Sequence, residues 1–235
     1  MHLDMSLNAL LSRSHGFMKN RSMFLIRLFQ QHDIREAKNF VVYMWSKAMV
    51  HQSIRLNKQD ATELADYFVD SYLLNGYSYG LFEKTSGKLA GLFLSEMFDL
   101  SKDRENTMPD INKVKPLILE AERQVRSKIP SSGYFYDLIL GGVHPDFRRL
   151  GINREINLHA IEIAKYYGCV GVGGPVSSAY AFRVCTKNGF ECLWKTKISS
   201  FRDPKTGVLL YPNCDPKHEN YYYVYKSLNQ NLSKL

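Results

Sequence analysis

Tyr134–Gly168 reads YFYDLILGGVHPDFRRLGINREINLHAIEIAKYYG, and the fold turns on how this stretch is divided. The apolar run Leu138-Ile139-Leu140, continued through Gly141-Gly142 to Val143 and closed by His144-Pro145, has the pattern of a buried strand. Ile156, Ala160, Ile163, Ala164 and Tyr167 then recur at helical spacing, with Gly168 as a stop. Between strand and helix lie Arg148-Arg149-Leu150-Gly151-Ile152-Asn153. Gly151 permits a turn whose N–H groups converge, and the helix that follows adds the positive end of its dipole. Such a turn suits a phosphate or pyrophosphate. Two adjacent glycines weaken a buried strand, so Gly141-Gly142 predict either a bulge or the close approach of a ligand to the backbone.

Outward from this unit the chain alternates strands and helices. Residues 1–21 show no clear period and are expected to be a loosely ordered extension of a domain spanning 22–235. Met23–Phe29 reads as a first strand, and Asp33-Ile34-Arg35-Glu36 as a capping box opening a helix to Ala48. Asp60-Ala61-Thr62-Glu63 signals a second helix, ended by Gly76. Tyr77–Glu83 and Leu89–Met97 form a predicted hairpin, Asp99–Asp110 a surface loop, and Val114 to Val125 a helix with Pro116 in its first turn. Past the central unit, Cys169–Val172 is a short strand, Ser178–Lys187 a helix, and Glu191–Ser199 and Tyr221–Leu228 strands. The order β-α-α-β-β-α-β-α-β-α-β-β defines one mixed α/β domain.

Composition narrows the function. A 235-residue chain with 45% hydrophobic residues buries one substantial core. Its net charge of +8 comes from scattered lysines and arginines, with no nucleic-acid-reading motif, so nucleic acid is not an expected partner. The four cysteines form no C-x-x-C pair and lack matching histidine spacing, so neither a metal site nor a disulfide framework is expected. No apolar run reaches membrane-spanning length, and the N-terminus does not read as a secretory signal. The expectation is a cytoplasmic protein without membrane association.

The strand–turn–helix unit resembles the acetyl-CoA motif of the GNAT superfamily of N-acyltransferases, whose turn reads Q/R-x-x-G-x-G/A. Arg148, Gly151 and Asn153 occupy its three defined positions, with Asn153 replacing the usual Gly or Ala. A second stretch, Ser178–Phe190, is similar to the GNAT segment N-x-x-A-x-x-x-Y-x-x-x-G-F. Ala181, Gly189 and Phe190 match, Ser178 replaces the Asn, and Cys185 replaces a tyrosine that many members use to protonate the departing CoA thiolate. Val176-Ser177-Ser178-Ala179-Tyr180 and the Asp203–Val208 hairpin, with Tyr211-Pro212 beyond it, are similar to invertebrate arylalkylamine N-acetyltransferases. Two departures stand out: Ala181 occupies the place of that subgroup's second serine, and Lys47–His51 carries no carboxylate where its glutamate base falls.

The resemblance implies a GNAT fold, an α/β architecture whose mixed central sheet is splayed at its middle strands, with helices on both faces. It implies acetyl-CoA as co-substrate, no metal, and a small, arylalkyl primary amine as acceptor, with residues 49–58 near the substrate entrance. Gly141, Gly142 and Val143 would line the pantetheine arm, Arg148, Arg149, Leu150, Gly151, Ile152 and Asn153 the pyrophosphate, and Ser178 the same cofactor. Asp137 precedes Arg148 by the interval at which histone-type members place a strand glutamate, which makes it the candidate base. Tyr180, Cys185 or water are the candidate proton donors, and His51, Glu96, His144 and His218 are further alternatives for the base. Two rival expectations are an acetyltransferase for polyamines or protein lysine and a GNAT-like domain that binds CoA or a partner without catalysis; oligomeric state is left open.

Overall fold

The computed structural model describes residues 6–47, 56–104, 107–111, 114–214 and 216–228. Its strands β1 Phe24–Leu28, β2 Tyr79–Glu83, β3 Leu89–Asp99, β4 Tyr134–Val143, β5 Gly171–Val176, β6 Glu191–Lys197 and β7 Asn220–Ser227 form one sheet in the order β1-β2-β3-β4-β5-β7-β6. Pairing is antiparallel from β1 through β4, parallel between β4 and β5, and antiparallel from β5 through β7 to β6. Helices α2 Ile34–Lys47, α3 Lys58–Tyr72 and α4 Lys115–Val125 pack on one face, around Phe40, Trp45, Leu64, Phe68 and Leu117. The other face is covered by α1 Leu7–Ser12, α5 Ile152–Tyr166 and α6 Ala179–Lys187, around Leu11, Ile156, Ala160, Ala164 and Cys185. The mixed sheet with helices on both faces is the expected architecture. Among the described residues no helix is long and apolar enough to cross a membrane.

The middle of the sheet is splayed. Strands β4 and β5 pair only at Phe135↔Gly171, Tyr136↔Val172 and Asp137↔Gly173, after which each continues without the other. The break coincides with a bulge in β4. Ser95 of β3 faces Leu138 while its neighbour Leu94 faces Leu140, so Ile139 is the extra residue. An extra residue bends its strand and increases the local twist, which carries β4 away from β5. The bulge therefore lies at Ile139, not at Gly141-Gly142, whose register against Phe93 and Leu92 is regular. The glycine pair also relieves side-chain crowding: a Cβ on Gly141 would lie 2.4 Å from the Phe93 ring, and one on Gly142 2.4 Å from the Met44 thioether.

Other departures from the sequence reading are local. Strand β5 begins at Gly171 and runs through Gly173-Gly174-Pro175, two glycines and a proline read from the sequence as its end. A side chain at Gly174 would meet the Leu138 carbonyl at 2.3 Å, so glycine is needed where the two strands part, and Pro175 lies beyond their last pair. Asn57, not Asp60, caps α3, its side chain accepting from the Asp60 N–H at 2.8 Å. Asp33 does not cap forward onto Glu36. It accepts from the Arg27 guanidinium at 2.6 Å and the Gln30 N–H at 2.8 Å, while Glu36 accepts from the Leu89 N–H. Within the segment read as a loose extension, α1 buries Leu10 and Leu11, and the Lys19 N–H donates to the Leu150 carbonyl at 2.8 Å.

Candidate active site

The splay between β4 and β5 opens into a cavity of about 150 Å³ that runs through the sheet. On one side it is lined by polar groups of α5 and α6 and the turn before α6: Asn153, Asn157, Ser178 and Cys185. The other side is apolar and aromatic, with Trp45, Phe68, Leu117, Ile118, Tyr211 and Tyr221. Leu138, Ile139, Leu140 and Gly141 of β4 face Gly174, Pro175 and Val176 of β5 across the gap. Of the three β4 residues expected along the pantetheine arm, Gly141 lines the cavity and Gly142 and Val143 do not. Backbone groups that lose their sheet partner need another, so this gap suits an extended ligand with amide groups of its own.

A turn with Gly151 at positive φ precedes α5, where the sequence placed one. A 3-10 turn at Pro145–Phe147 delivers the exposed Arg148 and Arg149, and Arg149 takes a left-handed conformation at φ 65°. Gly151, at φ 82°, is the N-cap of α5. A Cβ there would sit 2.0 Å from the Phe17 carbonyl oxygen, so the position requires glycine on both conformational and steric grounds. None of the backbone hydrogen bonds among the described residues is donated by Arg149, Leu150, Gly151, Ile152 or Asn153. Unpaired N–H groups at the start of a helix, with two arginines in the same turn, are the chemistry that suits an anion. Ile152 is buried beneath it. Asn153 continues the helix and accepts from the Asn157 side chain at its carbonyl (2.6 Å) and its side-chain oxygen (3.1 Å).

Cys185 lies at the cavity wall and is buried, its Sγ donating to the Asn157 side-chain oxygen at 3.6 Å. Burial pushes its thiol up to about 12. Ser178 caps α6, accepting from the Ala181 N–H at 3.5 Å. Tyr180 lines neither this cavity nor the one behind it; its half-exposed ring lies 5.6 Å from that of His218, with Lys217 over its face. His218 is committed to accepting from the Ala179 N–H at 3.3 Å. His144 stacks on Tyr43 away from both cavities, and burial, then Lys88, lowers its pKa. His51 and most of the predicted entrance segment 49–58 lie outside the described residues.

Behind the first cavity, and sharing Phe68, Ile118, Ile139 and Pro175 with it, a second of about 70 Å³ holds the charged groups. Asp137 and Glu96 are directly paired across β4 and β3, which sets two carboxylates side by side. Arg104, from the loop after β3, donates to Asp137 Oδ2 at 2.6 Å and to Glu96, and lies 3.6 Å from Glu122 of α4. Asp137 is buried, and among the described residues its Oδ1 has no hydrogen-bond partner. Three carboxylates share one guanidinium, so they titrate together. Burial raises the pKa of Asp137, against the pull of Arg104, and likewise that of Glu96; burial takes Glu122 up to about 7. The sequence pointed to Asp137 and named Glu96 as an alternative. It gave no sign of Glu122 or Arg104, which lie on a charged helix face and in a polar loop.

No family model and no curated protein matches the chain. Solved structures do. The C-terminal condensation domain of Ebony, in complex with β-alanyl-dopamine, superimposes with a TM-score of 0.74 at 12% identity, over 87% of this chain and 99% of that one. Arylalkylamine N-acetyltransferase 2 from Aedes aegypti gives 0.73 at 16% identity, over 88% and 99%. The polyamine N-acetyltransferase of Drosophila melanogaster, which forms N-acetylagmatine, gives 0.67 at 14% identity, over 87% and 100%. The chain has the fold of the GNAT N-acetyltransferases.

Proposed function

We propose that this protein is an acetyl-CoA-dependent N-acetyltransferase for a small primary amine, with arylalkylamines as the preferred class. One observation carries the reading: the gap between β4 and β5 runs from a polar wall beside the anion turn to an aromatic chamber on the opposite face of the sheet. Arg148, Arg149 and the N–H groups of residues 149–153 would hold the pyrophosphate, and the β4 edge beyond Asp137 the pantetheine. Acetyl-CoA supplies the acyl group as a thioester. The amine forms the C–N bond directly as the C–S bond breaks, with no acyl group passed to the protein. The aromatic chamber suits an aryl side chain.

An alkylammonium, with a pKa of roughly 10, must give up a proton before it can attack. The carboxylate cluster receives it, through Asp137 at the vertex of the gap and Glu122, which burial takes up to about 7. Cys185 is a poor proton donor. A thiol at about 12 cannot readily protonate a thiolate of ordinary affinity near ~8.5, the transfer being unfavourable by roughly three thousandfold. Water or the displaced ammonium proton serves instead. A second reading has its own support: Glu96, Asp137 and Glu122 would attract the distal cation of a polyamine, if Arg104 yields its place.

Calorimetric titration with acetyl-CoA, followed by a free-thiol release assay over an amine panel, tests both readings. Binding with preferred turnover of tryptamine, tyramine or dopamine supports the first, and preference for spermidine or agmatine the second. Binding without turnover of any amine would leave a non-catalytic CoA-binding domain, and no binding would remove the assignment.

A further inference from the structure

We propose that His15, Glu155 and His159 form a structural site for a divalent transition-metal cation, Zn²⁺ foremost, on the face of the molecule opposite the carboxylate cluster. Glu155 and His159 are one helical turn apart on α5, both fully buried, and His15 enters from the N-terminal segment. One ligand atom from each lies within 4.8 Å of the others. The His15 and His159 rings meet edge to face with centroids 4.6 Å apart. Glu162, two turns along α5 from Glu155, places a carboxylate oxygen 3.2 Å from His15 Nε2 but lies outside the three-residue group, so a water would supply the fourth, oxygen ligand.

The unpaired atoms give the argument its weight. Among the described residues, both ring nitrogens of the buried His159 and Oε2 of Glu155 lack any hydrogen-bond partner, as do both ring nitrogens of His15. An imidazole always carries at least one N–H, and burying it without an acceptor is costly. The Glu155 Oε1 carboxylate oxygen is 4.0 Å from His159 Nε2, too far for a hydrogen bond. A purely electrostatic account, with His15 between Glu155 and Glu162, reaches one oxygen of each carboxylate and leaves Glu155 Oε2 and His159 unexplained. A cation between the two rings accepts lone pairs from both imidazoles and from Glu155. Two histidines, a carboxylate and a fourth oxygen ligand are the donor set that suits tetrahedral Zn²⁺. Ligand atoms around Zn²⁺ at about 2.0–2.1 Å are roughly 3.3 Å apart, so the cluster must contract by about 1 Å or somewhat more. Arg21 Nε lies 4.0 Å from Glu155, and this arginine bonds through its other nitrogens to the Phe24 and Ser12 carbonyls. The bound ion ties the N-terminal segment to α5.

The test is titration of the chelator-treated full chain with Co²⁺, read by the visible d–d absorption of tetrahedral cobalt, followed by displacement with Zn²⁺. The expected result is one equivalent bound with a tetrahedral spectrum, bleached by Zn²⁺. Affinity should weaken more than tenfold in His15→Ala and His159→Gln, and stay unchanged in His32→Ala, which alters an exposed histidine elsewhere. His15→Ala decides the matter if His159→Gln does not fold, because His15 sits in the N-terminal segment and not in the helix. The absence of a tetrahedral band in the folded wild-type protein overturns the proposal, and so does a band that persists undiminished in His15→Ala.

Discussion

Replacing Arg104 with methionine keeps the aliphatic stem but removes the charge that three carboxylates share. The Arg104–Asp137 contact is 2.6 Å and Asp137 is buried, so the loss exposes an uncompensated interior charge. Charge centres about 4 Å apart interact by about 4 kcal/mol at an effective dielectric constant near 20, which agrees with the ~3–5 kcal/mol measured when a buried pair loses one member. Relief of the arginine's own desolvation trims this figure. The carboxyl has an escape, which is to take up a proton. Without Arg104 the folded-state pKa of Asp137, already raised by burial, rises further. A carboxyl raised on folding favours the folded state most below its unfolded value near ~3.9 and loses that contribution as pH climbs through the folded value. The destabilisation of Arg104→Met should therefore be about 3–5 kcal/mol at pH ~8 and fall to about 1–2 kcal/mol at pH ~5, where holding the proton costs little. Urea denaturation at the two pH values measures it, and Arg104→Met/Asp137→Asn should recover most of the alkaline loss. An equal loss at both pH values, or one below about 1 kcal/mol at pH ~8, would refute the charge argument.

Three further outcomes follow from the site. Gly151→Ala, at φ 82° and 2.0 Å from the Phe17 carbonyl, should cost more than about 1 kcal/mol in thermal or urea unfolding and weaken acetyl-CoA binding at least tenfold by calorimetry; unchanged affinity would remove the anion turn. With an amine substrate, kcat/KM should fall as pH drops through about 7, because the carboxylates must be ionised to take a proton and Glu122 is raised to about 7. Glu122→Gln should displace that limb, and an identical profile in the variant would exclude Glu122 from the proton path. Cys185→Ala should keep turnover within about threefold while losing about 1–2 kcal/mol of stability to the small void it leaves, whereas a loss above about tenfold in kcat would make the thiol the proton donor.

Much of this architecture was legible from periodicity and turn chemistry. Central strand, anion turn and α5 follow from neighbouring residues, because the apolar run, Gly151 and the helical stripe from Ile156 to Ala164 act locally. The illegible parts are contacts between distant residues. Arg104 lies in a polar loop that gives no hint of pointing inward, and Glu122 sits among the charges of α4. Only the register of β3 against β4 brings Glu96 beside Asp137. His15 and Glu155, 140 positions apart, are equally invisible to a spacing rule built around cysteines. The helix caps failed for a nearer reason: Asp33 and Asp60 each had a competing partner or a better-placed neighbour, Arg27 for the one and Asn57 for the other.

The position of the site depends on one inserted residue. Along an unbroken strand, Leu138 and Leu140 would share a face. With Ile139 bulged, Leu138 packs with α5 while both Ile139 and Leu140 turn toward α2, α3 and α4. Asp137 keeps that same side just before the strands part. The bulge thus does three things together: it ends the β4–β5 pairing, directs two consecutive apolar side chains into the aromatic chamber, and leaves Asp137 at the vertex of the gap. Ile139 borders both cavities, so it separates the chamber where an amine would lie from the carboxylates that would take its proton. The glycines that drew attention in the sequence make room for Phe93 and Met44 against the strand once it has bent, and Gly141 lines the cavity as well.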